Sequence, residues 1–305
     1  MRALASFIMG GRLQAAAVAA TSGMLALLIP PMVVVSVAAV VLRTLRDGAR
    51  DGAIVVVVAG LATALISSLS GMGTMPAVWM LMFWLPAMAL AATLRTTVSL
   101  TLTMQSAVFI GGIGVLLLYL LGGGPESWWV GVLDQFREVL QAQGTTAEEA
   151  EQIDYFLQVL EPWGALLPGL LTAAFLGYIL IGLLVGRWWQ ALLFNPGGFA
   201  TEFQELRLGQ PMAMLAAPIL AVAMGFGWPP IMNLAFVVGV VYGLQGIALV
   251  HGMAQRAQCS SGWLIAFYVL LVFAFPLLGT VLCWLSILDP WLDFRGRVKP
   301  PKGTV

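Results

Sequence analysis

Charge is what this chain has least of. Its 305 residues include 14 basic and 14 acidic side chains, one histidine and two cysteines. Soluble domains carry about 25% charged residues. At 9% charged and 60% hydrophobic, most of the surface must face something other than water, which excludes a soluble globule with an enlarged core. Two cysteines, Cys259 in a polar stretch and Cys283 in an apolar run, exclude a disulfide framework. There is no HExxH, no glycine-rich phosphate loop and no serine–histidine–aspartate set. His251 closes the apolar run Leu249-Val250-His251-Gly252 and reads as a helix-end hydrogen-bonding residue. The formal net charge of +0 offers no footprint for nucleic acid. No metal or cofactor is expected, and catalysis is not.

What the chain does have is long apolar runs, with a mean hydropathy of +0.96. Crossing a hydrocarbon core of about 30 Å takes roughly 20 apolar residues as a helix. The alternating short segments of a membrane β-barrel are missing: stretches such as Leu166 to Val185 are apolar on every face, and helices satisfy their own backbone in lipid. The fold class is therefore all-α, a polytopic transmembrane bundle forming one membrane domain over 1–305. Clear spans are Gly52–Ser70, Pro76–Leu94, Val98–Leu121, Gly164–Gly186, Pro211–Gly225 and Ile231–Val250. Two intervals are ambiguous. Leu13–Leu42 is interrupted by Pro30-Pro31, which makes it one kinked helix or a hairpin of two. Trp263–Leu288 is kinked or broken at Pro276. The total is about eight spans, nine or ten if both intervals are hairpins. Arg2, Arg12 and the following apolar run are read as a retained membrane segment and not as a cleaved leader.

The basic residues set an orientation. Arg43, Arg46, Arg50, Arg95, Arg187, Arg207 and Arg256 fall in loops that alternate passage puts on one side, and the polar stretch Arg43 to Asp51 reads as one such loop. That side is expected to be cytoplasmic. The other side holds residues 122–161, with eight of the 14 acidic residues and the single base Arg137. One conflict stays open: a single last span would carry Arg295, Arg297, Lys299 and Lys302 to the acidic side, whereas a hairpin or re-entrant form would not. Trp128, Trp129, Trp163 and Trp228 at one level, and Trp188, Trp189 and Trp263 at the other, mark two interfacial belts.

Residues 122–161 also read as an extracytoplasmic hairpin. Trp129, Val132, Leu133, Phe136, Val139 and Leu140 form one apolar stripe. Gly144 stops that helix, and Thr146 with Glu149 is a capping box for a second, striped by Ile153, Phe156, Leu157 and Leu160. Such a pair lies on the bilayer or caps the bundle, as a passive lid or as a gate or docking surface.

Every Asp, Glu, Lys and Arg falls in a loop or at a helix end, so uncharged polar groups are the candidates within the spans. Gln245 and Asn233 share one helix, and Gln105 lies in a patch with Thr97, Thr101 and Thr103. They either bond neighbouring helices or line a pocket for a small neutral or amphiphilic ligand. Ala15, Ala19 and Gly23, like Gly182 with Gly186 and Gly239 with Gly243, are small residues at four-residue spacing that let helices approach closely.

The run Gly186-Arg187-Trp188-Trp189-Gln190 through Asn195-Pro196-Gly197-Gly198-Phe199, then Phe203 to Leu208, Tyr242 to His251 and Leu288 to Arg295 resembles the YybS-like family of bacterial membrane proteins, a family without an assigned activity. More remotely the chain is similar to the substrate-binding (S) components of energy-coupling-factor vitamin transporters and to the rod-shape protein MreD. The resemblance implies a multi-pass protein of a bacterial inner membrane. In S components a small-residue motif docks the coupling subunit, which would make Ala15, Ala19 and Gly23 a partner-docking face. Two functions follow as expectations: binding or transport of a small molecule at Gln245, Asn233 and Gln105, or a non-enzymatic scaffold in envelope assembly. The partners expected are the bilayer and another membrane protein.

Overall fold

The computed structural model describes residues 1–121, 125–142 and 146–298. Among them there is no strand. The chain is an all-α polytopic bundle, and seven of its described helical runs are long and apolar enough to cross a bilayer.

A short helix α1 (Arg2–Met9) precedes α2 (Arg12–Leu25) and α3 (Met32–Asp47), so Pro30-Pro31 divides the first interval into a hairpin. α3 is only 16 residues long, yet every residue from Val37 to Leu42 is 0% exposed. A helix apolar and buried on all faces is a core element, not a lipid-facing one. α2 lies along it through Ala15, Ala19 and Gly23. α4 (Ala49–Leu69), α5 (Met75–Thr97) and α6 (Leu100–Leu121) follow, then the hairpin α7 (Pro125–Ala142) and α8 (Ala147–Leu160). A 3₁₀ turn, Glu161–Leu166, leads into α9 (Leu167–Phe194), whose Gly182 and Gly186 seat against Val37 and Val41 of α3. A Cβ on Gly182 would lie 2.4 Å from Val37 Cγ1 and one on Gly186 2.6 Å from Val41 Cγ1, so this small-residue pair joins two helices of the same chain. α10 (Gly198–Gln204), α11 (Gly209–Phe226), α12 (Pro229–Arg256), α13 (Ser261–Phe273), α14 (Phe275–Leu292) and α15 (Phe294–Arg297) complete the order.

Three boundaries differ from the sequence reading. The polar stretch Arg43 to Asp51 is no loop: α3 runs to Asp47, Gly48 turns the chain at φ 101°, and α4 begins at once. Only a glycine adopts that conformation without strain. α9 continues eight residues past Gly186, carrying Arg187, Trp188 and Trp189 on the helix. The last interval breaks at Ala274 (φ −117°, ψ 32°), one residue after α13 ends.

Arg12, Arg43, Arg46, Arg95, Arg187 and Arg295 gather at one end and tie it together. Arg12 pairs with Asp51, Arg43 with Asp47 at 3.1 Å, and Arg95 donates to the Leu45 carbonyl at 2.6 Å. Arg46 sits 4.3 Å over the Phe194 ring and Arg187 lies 2.7 Å from Glu202. Arg295 packs beside Gly252 in the last turns of α12 and donates to the Leu206 carbonyl at 3.0 Å. α13 starts from this end, and α14 returns to it. The out-and-back path removes the conflict over Arg295 and Arg297; Lys299 and Lys302 lie outside the described residues.

At the opposite end Trp129 Nε1 donates to the Leu160 carbonyl at 2.9 Å, closing the α7–α8 hairpin over the 3₁₀ turn. Arg137 bridges Asp134 and Asp154, both at 2.9 Å. The capping box is formed: Thr146 N–H donates to Glu149 at 2.7 Å, and Glu149 N–H to Thr146 Oγ1 at 3.4 Å. The Thr146 N–H and the Thr146 hydroxyl (2.9 Å) both donate to the exposed Glu149 carboxyl and hold it below its ordinary range. The expected stop at Gly144 lies outside the described residues.

Candidate functional site

The polar residues singled out within the spans do not form one site. Asn233 lies in the second turn of α12, near the acidic end, and is 0% exposed. Its Oδ1 accepts from Gly169 N–H at 2.9 Å, and its Nδ2 donates to Tyr119 Oη at 2.7 Å and the Ala165 carbonyl at 2.8 Å. One amide thereby joins α6, the 3₁₀ turn, α9 and α12.

Gln245 and Gln105 meet near the other end, at the link between α10 and α11. Gln245, also 0% exposed, accepts from Leu208 N–H at 2.9 Å and donates to the Ser286 carbonyl at 2.8 Å. Gln105 donates to the Leu208 carbonyl at 2.8 Å, and Thr101 to the Arg207 carbonyl at 3.0 Å. These side chains satisfy backbone groups that would otherwise be orphaned where a non-helical link enters the bundle. Gln245→Ala would strand Leu208 N–H and the Ser286 carbonyl, each at about 1–3 kcal/mol. We therefore expect the variant to melt several degrees lower, with ligand-induced stabilisation intact in a thermal-shift titration; selective loss of the ligand response would return Gln245 to a binding site.

The small-residue face of α2 is likewise used internally. Ala15 and Ala19 are 0% exposed, the Ala19 carbonyl accepts from Ser36 at 2.6 Å, and a Cβ on Gly23 would meet Met80 Sδ at 2.9 Å. Trp84 Nε1 completes this seam by donating to Ser36 at 2.9 Å. In this fold the face meets α3 and α5 and is not presented to a partner.

Beside the Leu206–Leu208 link lies a charge cluster that spacing did not reveal. Asp289, inside α14 and 0% exposed, accepts from Arg295 Nη1 at 2.7 Å and from Phe294 N–H at 3.1 Å. Arg207 adds a longer contact to Asp289 at 3.5 Å and a close one to Asp293 at 2.6 Å. The Arg207 hydrogen bond holds the Asp293 carboxyl below its ordinary range. The cluster clasps the end of α14 to the α10–α11 link.

Between α9, α10, α12 and α13, at the same basic end, is a cavity of about 450 Å³. That volume lies within the roughly 300–1,000 Å³ range of ligand pockets. Its twelve lining residues include no Asp, Glu, Lys or Arg. α9 supplies Trp188 and Leu184, and the amphipathic α10 supplies Phe199 and Phe203. His251, in the penultimate turns of α12, meets Tyr268 of α13 with Nε2 and Oη 2.8 Å apart. The Phe203 ring is 5.9 Å from the His251 ring and 5.8 Å from that of Phe199, so aromatic groups form one wall. On the far face of α10, burial raises the Glu202 carboxyl above its ordinary value while neighbouring Arg187 pulls it back. The pocket is mostly apolar, with the His251–Tyr268 pair and Gln204 as its polar side chains, the usual make-up of a small-molecule site.

Sequence reasoning passed over this pocket because its residues are scattered over positions 184 to 268 and His251 reads alone. The available signal was aromatic density: Trp188, Trp189, Phe194, Phe199 and Phe203 surround a Pro-Gly-Gly turn. No curated protein and no solved structure matches the chain. Residues 17–290 match the model of a family described as predicted membrane protein (DUF2232), and the chain belongs to that family.

Proposed function

We propose that this protein binds a small, neutral, amphiphilic molecule in the His251–Tyr268 pocket and acts as a binding or transport component, not as an enzyme. The pocket itself carries the reading: it is mostly apolar, free of formal charge, and built where the four helices α9, α10, α12 and α13 meet. The site moves there from Gln245, Asn233 and Gln105 because those amides are already spent on backbone groups. The sequence resemblance to S components supports the same class of function by analogy alone. In this reading the arginine-rich end is cytoplasmic, so the pocket faces the cytoplasmic side of a bacterial inner membrane and the acidic hairpin the other side.

Ala200 lines the pocket from α10 and is exposed, so a larger side chain there fills the cavity without entering the core. Ala200→Trp is expected to abolish ligand-induced thermal stabilisation in a screen of neutral amphiphiles while the unliganded melting temperature stays within a few degrees. An undiminished response would place the ligand elsewhere.

A second reading, a scaffold in envelope assembly, draws on the α7–α8 hairpin, where Phe136, Val139, Tyr155 and Phe156 are exposed beside acidic residues. With Ala15, Ala19 and Gly23 packed inside, docking in this reading falls to the hairpin. Photo-crosslinking from Phe156 separates the two: a discrete protein adduct favours the scaffold, lipid adducts alone favour the binding protein.

A further inference from the structure

We infer that the molecule taken by the pocket is a lipid-soluble quinone, a flat uncharged ring with carbonyl acceptors carried on an alkyl or isoprenoid chain; this rests on the reading of the pocket as an amphiphile site. Charge decides the first point. With no ionised side chain in the lining and the nearby Arg187 paired to Glu202 at 2.7 Å, the pocket offers a phosphate or ammonium headgroup no opposite charge to pair with. The headgroup is therefore neutral.

Ring geometry decides the second. The Phe199 and Phe203 planes are 24° apart with centroids at 5.8 Å, and His251 and Tyr268 extend the wall with centroids at 5.8 Å. A planar π system gains offset or edge contacts from such a wall beyond the area it buries, which a saturated chain does not.

The polar pair decides the third. The His251–Tyr268 contact occupies one imidazole nitrogen and one position on the phenol oxygen. In the tautomer with the proton on Nε2, histidine donates to the phenol oxygen and the phenol O–H is left to donate to an acceptor in the cavity. A ring carbonyl is such an acceptor. His251 is five residues from the end of α12, about 8 Å along the helix. That depth suits a ring at the interface with its chain in the hydrocarbon.

The test uses the full chain in lipid nanodiscs, with equilibrium binding of a decyl-tailed benzoquinone, the same decyl-tailed ring without carbonyls, and decanol. We expect the quinone to bind tightest, Tyr268→Phe to weaken it about five- to tenfold through one lost hydrogen bond, and the carbonyl-free ring to bind wild type and Tyr268→Phe alike. Ala200→Trp should remove all three. If all three probes bind wild type equally, Tyr268→Phe changes nothing and Ala200→Trp still blocks them, the quinone assignment is overturned and the amphiphile pocket stands. If Ala200→Trp blocks none of them, the pocket reading fails and the quinone assignment with it. Tyr268→Phe removes a single exposed hydroxyl, and a matching melting temperature establishes that it folds.

Discussion

Asp289→Ala is expected to destabilise the protein by about 3–5 kcal/mol, the usual effect of leaving a buried charge without its partner. Asp289 is 0% exposed and Arg295 1% exposed, and they meet at 2.7 Å. Removing the carboxylate leaves the Arg295 guanidinium with the Leu206 carbonyl as its acceptor, and leaves Phe294 N–H without the oxygen that accepts it at 3.1 Å. Asp289→Asn keeps an acceptor for Phe294 and should fall between wild type and alanine. The informative control is the double variant Asp289→Leu with Arg295→Met. Replacing both members of a buried pair by apolar residues of similar volume is often neutral or better, so the pair of changes should recover most of the loss. Thermal unfolding in detergent, followed by tryptophan fluorescence, reads all three. A wild-type melting temperature for Asp289→Ala would mean that α14 does not end where the structure puts it.

Gly169→Ala should be nearly as severe, from a single methyl group. A Cβ at this position would stand 2.3 Å from Asn233 Cα and 2.7 Å from the Asn233 carbonyl oxygen. Both are backbone atoms and cannot rotate away, so α9 and α12 must separate. Overpacking of this kind costs about 1–3 kcal/mol. The hydrogen bond from Gly169 N–H to Asn233 is lost in the same step, along with the register that lets Asn233 reach Tyr119 and Ala165. Gly112→Ala is the matched control: a Cβ there meets nothing within 4 Å, and alanine is favoured over glycine inside a helix by about 1 kcal/mol. Equal melting temperatures for the two variants would contradict the close α9–α12 contact.

The helices were legible because lipid removes most alternatives. A charge-free run of 20 residues flanked by arginine has one stable form in a bilayer, and the clustering of Arg95, Arg187 and Arg256 at one end follows from the same rule. The capping box at Thr146 was readable because it is local, two bonds within four residues. The turn at Gly48 was also local, yet the run of polar residues around it looked like a loop. Arg43 and Asp47 instead satisfy each other one helical turn apart, which lets α3 continue.

The site was far less legible, for a geometric reason. A glutamine inside a span looks the same in sequence whether it faces a ligand or a carbonyl from another element. For Gln245 the outcome depended on the Leu206–Leu208 link arriving 37 residues away in sequence, and for Asn233 on Gly169 and Ala165. Small residues at Ala15, Ala19 and Gly23 announced a close helix approach but not which helix would make it; α3 of the same chain does, with the Met80 side chain of α5 reaching Gly23. The segments 186–208, 242–251 and 288–295, on which the family resemblance rested, are distant in sequence and adjacent in space. They meet around Leu206, Gln245, Asp289, Arg295 and His251. That convergence builds both the clasp and the pocket beside it.

The most direct test of the pocket as the functional site is native mass spectrometry of the protein released from lipid nanodiscs, wild type beside Ala200→Trp. The wild-type protein should retain one neutral amphiphile of defined mass that is absent from the variant. The same adduct on both proteins would contradict that expectation.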